Sequence, residues 1–225
     1  MRLGLSDGRL FSPSSCWGCF IGKPASPKRS IEERRAAMDS NRMRDRISGI
    51  ASFLRWRDWG PGKIPVFFTL LAYIALAERN FSARFLLDFL LFIIFAILQS
   101  ALGYVVNDWG DRKIDRLHGK KNAFDNHPGS AGLLRLSLLF CVAFFSGLPF
   151  IHRPFFPPLW AGWILIACAY SLKPVRLKER GIWGLGVSSL AQWTLPMLIA
   201  FSAMERFGQW DMAVFAIANS ISGAT

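Results

Sequence analysis

Gly103-Tyr104-Val105-Val106-Asn107-Asp108-Trp109-Gly110-Asp111-Arg112-Lys113-Ile114-Asp115-Arg116 carries a long apolar run abruptly into acid. An uncharged stretch of about 20 residues reads as a membrane helix, so Asn107, Asp108, Asp111 and Asp115 gather where such a helix meets water. If the helix continues through them, the spacing sets Asp108, Asp111 and Asp115 within about 60° of one another on one face. Three carboxylates so placed repel one another, and a divalent cation between them removes the repulsion. Oxygen-only ligands suit Mg²⁺ that is also held by substrate phosphates. The plainer reading is a helix cap followed by a solvated face that Arg112, Lys113 and Arg116 neutralise. The full N-D-x-x-D-x-x-x-D spacing at a predicted membrane boundary favours a site.

The rest of the chain agrees with a membrane setting. Of its 225 residues 52% are hydrophobic, and the charges fall in a few blocks. The expected fold is all-α, a polytopic transmembrane helical bundle. A formal net charge of +12 would suggest nucleic acid in a soluble protein. Here it fits basic flanks of membrane helices, anionic lipid and diphosphate partners. No basic helix with interleaved aromatics stands clear of the membrane, which argues against nucleic acid. Cys141 and Cys168 lie in predicted spans, where cysteine packs as a small residue. Cys16 and Cys19 form a C-x-x-C half-site with no second pair.

Residues 1–57 read as a basic, largely disordered cytoplasmic segment, and 58–225 as the transmembrane domain. Ser6 to Ser30 is expected to be disordered, with Met38 or Met43 as alternative starts. Ile31 to Leu54 mixes Ile31, Met38, Met43, Ile47 and Ile50 with charge, the pattern of a basic helix on a membrane surface or of a solvated tail. Predicted spans are Trp59–Ala77, with Lys63 snorkelling to the interface, then Phe85–Val106, Leu133–Ile151, Pro154–Leu172, Gly181–Met204 and a short segment from Met212. A tight His152-Arg153 turn joins the third and fourth spans, and Asn107 to Ser130 is expected as a hydrophilic loop. Lys and Arg crowd the N-terminal segment, this loop and Lys173 to Arg180, which places all three on the cytoplasmic side. After the fourth span, Tyr170-Ser171-Leu172-Lys173-Pro174-Val175-Arg176-Leu177-Lys178 sets a phenol and three cations beside the aspartates, either to hold diphosphate oxygens or as a positive-inside anchor.

The stretch from Tyr104 to Arg116 resembles the first aspartate-rich motif of the UbiA superfamily of intramembrane prenyltransferases, and Gly119-Lys120-Lys121-Asn122 is similar to the residues that come after that motif in members of the family. Tyr170 to Lys178 resembles the family's basic segment after its fourth helix, with Lys173 where proline is common. The resemblance spans about Arg55 to Thr225. It implies Mg²⁺-dependent transfer of a prenyl group from an isoprenoid diphosphate to an acceptor reached from the lipid bilayer. It also implies Asn107, Asp108, Asp111 and Asp115 as catalytic residues, the three aspartates as metal ligands, and Arg116, Tyr170, Lys173, Arg176 and Lys178 as diphosphate ligands. Which of the last three cations binds the anion stays open at this point. The family has nine helices and a second aspartate-rich motif after the sixth, beyond Thr225. About six helices are therefore expected here, from a fragment or from a degenerate, non-catalytic isoprenoid-binding protein. A CDP-alcohol phosphotransferase fits less well, because only Asp111 and Asp115 match the tail of its motif.

Overall fold

A computed structural model describes residues 31–125 and 129–222. The N-terminal expectations, including Cys16, Cys19 and the disorder of Ser6 to Ser30, fall outside these residues. The chain divides into two units, 1–42 and 43–225. Of the first, residues 31–42 are described, the opening turns of helix α1 (Ile31–Phe53). In the second unit α1 leaves Met43, Ile47 and Ile50 exposed (65%, 60% and 60%).

The larger unit is helical throughout its described residues: α2 (Trp56–Ala77), α3 (Ala83–Leu117), α4 (Ser130–Gly147), α5 (Phe156–Ser171), α6 (Ile182–Ser189), α7 (Leu195–Ala203) and α8 (Trp210–Ser222). Four segments are long and apolar enough to cross a membrane, namely α2, α3, Ser130–Phe150 and the composite Ile182–Ala203; α5 and α8 are shorter apolar helices. Leu86, Leu87, Leu90 and Ile94 of α3 and Leu133, Leu134 and Leu138 of α4 remain exposed. Apolar rows of this kind on apolar helices are faces suited to lipid, where every backbone polar group is already bonded within the helix.

Two predicted boundaries shift. At 35 residues α3 is about 50 Å long, well beyond the roughly 30 Å hydrocarbon core. It carries Asn107, Asp108, Asp111 and Asp115 on regular helix, so the hydrophilic loop begins only at His118. The expected His152-Arg153 turn is longer than predicted. Pro149 belongs to a 3-10 turn over Leu148–Phe150, and Pro157 and Pro158 open α5 after a left-handed Phe155. Proline fits the first turn of a helix because the amide it lacks has no intrahelical partner there.

Aromatic packing joins the helices. Phe92, Phe95, Phe150, Phe156 and Trp160 form one buried group, with Phe95 touching Phe150, Phe156 and Trp160 at ring separations of 6.3, 5.4 and 5.8 Å. Small residues allow close approach where helices cross. Gly103 faces the Trp163 ring, and Gly147 leaves no room for a Cβ beside Trp160. At the end of the bundle away from the aspartates, Arg153 pairs with Asp88 at 2.6 Å and also with Glu205. Arg206 pairs there with Glu78 and with buried Asp211, which also accepts from the Tyr73 hydroxyl at 2.8 Å.

Candidate active site

The aspartate end of α3 faces two neighbourhoods. Because 108 and 115 are seven residues apart, and 107 and 111 four apart, the helix sends each pair to its own side. Asp108 is fully buried (0% exposed). Its Oδ1 accepts from Arg55 Nη1 at 2.6 Å and its Oδ2 from the Ala123 amide at 2.9 Å. Burial opposes the charge on Arg55, but hydrogen bonds and attraction to Asp58 and Asp108 outweigh it and hold the guanidinium above its ordinary pKa. Asn122 bridges the same side, donating from Nδ2 to the Asp108 carbonyl at 2.9 Å and to Asp115 Oδ2 at 2.8 Å. Its own Oδ1 accepts from the Phe124 amide. Asp108 and Asp115 thereby fasten the start of α2 and the loop after α3 to the helix.

Asn107 and Asp111 face the other way, toward the segment after α5. Lys178 Nζ donates to Asn107 Oδ1 at 2.8 Å and to Asp111 Oδ2 at 2.5 Å, and Arg176 Nη2 donates to Asp111 Oδ1 at 2.7 Å. Ser171 Oγ adds a longer bond to Asn107 Oδ1 at 3.3 Å. Arg176 holds a left-handed backbone (φ 42°) and lies 2.7 Å from Glu179. A non-glycine residue keeps that conformation only where its surroundings enforce it, and here the buried pair with Asp111 does so. Two cations thus face one nearly buried carboxylate, with Glu179 largely in solvent.

Through Asn107 the cluster adjoins a cleft between α2, α3, α5 and the α6–α7 segment, with about 970 Å³ of space including its open end. Asn107, Tyr170 and Ser171 line its polar end, and Phe67, Phe92, Trp160 and Trp163 its apolar walls. One wall is a π-helical turn, Leu190–Thr194. Pro196, lacking an N–H, cannot bond the Gln192 carbonyl four residues back. That carbonyl instead accepts from Lys63 Nζ at 3.4 Å, while Ala191 O accepts from the Trp163 indole at 2.8 Å.

The structure sorts the sequence candidates. It brings Asn107, Asp111, Arg176 and Lys178 together and sets Tyr170 beside them on the cleft. Lys173 and Arg116 are exposed and pair with no carboxylate among the described residues. Asp108, Asp111 and Asp115 do not converge as expected; among the described residues no three acidic, His or Cys groups are placed to share a metal. The reason is that Arg55, Asn122 and the Ala123 amide take the oxygens of Asp108 and Asp115. The Asn107 and Asp111 pair does fit a cation, since the Lys178 ammonium already bridges their oxygens as a stand-in. Those donors are hard oxygens, of the kind Mg²⁺ takes. Lys63 turns into the cleft, contrary to the interfacial position expected of it. Arg55, Asn122 and Gly110 also escaped as contributors; Asn122 and Gly110 lay in quoted motifs, but without a role.

A bundle of apolar helices, four of its segments long and apolar enough to cross a membrane, marks an integral membrane protein. A model of the UbiA prenyltransferase family matches residues 66–225. The chain belongs to that family of prenyltransferases. Neither the comparison with curated proteins nor that with solved structures finds a match.

Proposed function

We propose that the protein transfers a prenyl group from an isoprenoid diphosphate to a membrane-accessible acceptor, with Mg²⁺ at the mouth of the cleft. The observation that carries this reading is the junction of the Asn107, Asp111, Arg176 and Lys178 cluster with an apolar, aromatic-walled cleft. Asn107 and Asp111 would hold Mg²⁺, which when bound would neutralise diphosphate charge and make it a better leaving group, while Asp115 faces Asn122 on the other side. Arg176 and Lys178 exchange their bonds to Asp111 for diphosphate oxygens, Arg176 with a planar fork and Lys178 as a point charge. Tyr170 would donate a hydrogen bond from its hydroxyl to the departing oxygen. Phe92, Trp160 and Trp163 exclude water from the allylic cation left behind and face it with aromatic rings. Asp108 acts through Arg55 and Ala123, fixing the helix end that presents Asn107 and Asp111.

Lys178 has two opposed duties in this scheme, which separates them experimentally. Lys178→Ala is expected to weaken farnesyl diphosphate binding about tenfold, the scale of one charge-assisted contact. In the absence of diphosphate, the same variant should bind Mn²⁺, used as a paramagnetic probe, more tightly than wild type, because the ammonium no longer competes. Weaker Mn²⁺ binding would show that Lys178 supports the cation position rather than filling it.

The positive-inside rule orients the bundle with the N-terminal segment and the aspartate end of α3 in the cytoplasm. A cysteine placed at exposed Lys120 is expected to resist a membrane-impermeant maleimide in intact cells and to react after permeabilisation. Labelling without permeabilisation would reverse the topology.

A further inference from the structure

A second cavity opens at the end of the bundle away from the aspartates, with about 560 Å³ of space including its open side. Three connections meet there: Asn80, Arg84, Phe85 and Asp88 come from the α2–α3 loop and the start of α3, Arg153 from the turn before α5, and Glu205 from the residues just after α7. Arg84 and Asp88 precede Asp108 by 24 and 20 residues on one continuous helix, about 36 and 30 Å along its axis. That span is close to the thickness of the hydrocarbon core. With the aspartates at one membrane surface, the cavity lies at the headgroup level of the other. It holds charge of both signs. Arg153 bonds Asp88 Oδ2 at 2.6 Å and pairs with Glu205 through Oε1, which leaves Asp88 Oδ1 and Glu205 Oε2 without partners among the described residues. Arg84 is 80% exposed along its side chain and approaches Asp88 only to 3.8 Å, too far for a hydrogen bond. Asn80 accepts through Oδ1 from the Ser82 amide and hydroxyl, and its Nδ2 has no partner among the described residues. From this end of α3 the exposed row Leu86, Leu87, Leu90 and Ile94 leads toward the middle of the membrane.

We propose that this cavity binds the headgroup of a phospholipid that carries a primary amine, as phosphatidylethanolamine does, with an acyl chain lying on the Leu86, Leu87, Leu90 and Ile94 row. Arg84 and the Asn80 amide take the phosphate, and the free oxygens of Asp88 and Glu205 take the ammonium. Two carboxylate acceptors suit an ammonium with three N–H donors. A quaternary ammonium donates none and is held instead by aromatic faces; of the described residues lining the cavity only Phe85 is aromatic, and it is buried. A headgroup without a cation leaves both carboxylates unanswered, and a soluble phosphate ester leaves the apolar row unused. The bound lipid ties the three connections together. This site is separate from the cleft and does not depend on prenyl transfer.

The test is native mass spectrometry of the full chain in detergent, titrated with dioleoyl phosphatidylethanolamine, phosphatidylcholine and phosphatidylglycerol. Wild type is expected to bind phosphatidylethanolamine about tenfold more tightly than either of the others, the scale of one charge-assisted hydrogen bond. Glu205→Gln, at a side chain 62% exposed, should abolish the preference over phosphatidylcholine by weakening phosphatidylethanolamine alone. Arg84→Gln should weaken both lipids alike, because both present the phosphate. Equal affinity of wild type for phosphatidylethanolamine and phosphatidylcholine would overturn the proposal, and this comparison stands whatever the variants do to the fold. A preference that survives in Glu205→Gln would overturn it too. So would displacement of the lipid by an equal concentration of glycerophosphoethanolamine, which has the headgroup and no chains, since the cavity would then serve a soluble phosphate ester.

Discussion

Asp111→Asn is expected to lower Mg²⁺-dependent prenyl transfer about a thousandfold while leaving the bundle folded. The magnitude is that of losing a preorganised group that acts on charge developing in the transition state. Asp111 meets both Lys178, at 2.5 Å, and Arg176, at 2.7 Å. Asparagine keeps the shape and one acceptor oxygen but removes the negative charge that assembles the two cations and would hold the metal. The left-handed Arg176 loses its buried counter-ion at the same time. Steady-state turnover of farnesyl diphosphate, read beside the thermal midpoint in detergent, distinguishes chemistry from folding. Near-normal turnover in Asp111→Asn would remove Asp111 from the machinery. A collapse of the midpoint would make the Asp111 cluster a structural clasp.

Gly110→Val is expected to produce the largest loss of stability. A Cβ at residue 110 would lie inside van der Waals contact with the Ser171 carbonyl oxygen, a backbone atom that cannot rotate away. The helices α3 and α5 must separate to admit it, and overpacking of a tight contact typically costs about 1–3 kcal/mol. The separation falls where Ser171 Oγ reaches Asn107 and where Lys178 and Arg176 reach Asp111. Activity should therefore fall with stability. Gly110→Ala, which adds one methyl, should show both effects in smaller measure. A thermal midpoint unchanged in Gly110→Val would mean that the crossing is looser than the structure has it. By contrast, Gly62 has open space beside it, and alanine there should be tolerated.

The range of each interaction decides how much of it was legible in the sequence. Apolar runs broken by charge place the helices because membrane insertion is a local property of about 20 residues. The aspartate spacing places four polar groups at one helix end for the same reason. Their division into two sides depends on partners far along the chain. Arg55 lies 53 residues from Asp108, and Lys178 lies 67 residues from Asp111. Periodicity shows that Asp108, Asp111 and Asp115 share a broad face, but not that Asn122 and Arg55 engage two of them. Lys63 reads as an interfacial anchor because composition cannot tell a lysine facing headgroups from one turned inward. The signal that could have found it is Pro196, four residues after Gln192, which frees a carbonyl in an otherwise continuous apolar helix. Gly110 gives no sign in one sequence, since a glycine in a helix declares its purpose only when the opposing backbone is known.

The most direct measurement tracks the fate of radiolabelled farnesyl diphosphate incubated with the intact protein in bilayers containing a lipid extract of its native membrane. Prenylated product and inorganic diphosphate should appear together when Mg²⁺ is present and stop when it is chelated, and Asp111→Asn should form neither at a comparable rate. Donor that stays intact in excess Mg²⁺, or turnover that continues unchanged in chelator, would contradict Mg²⁺-dependent prenyl transfer at the Asn107 and Asp111 site.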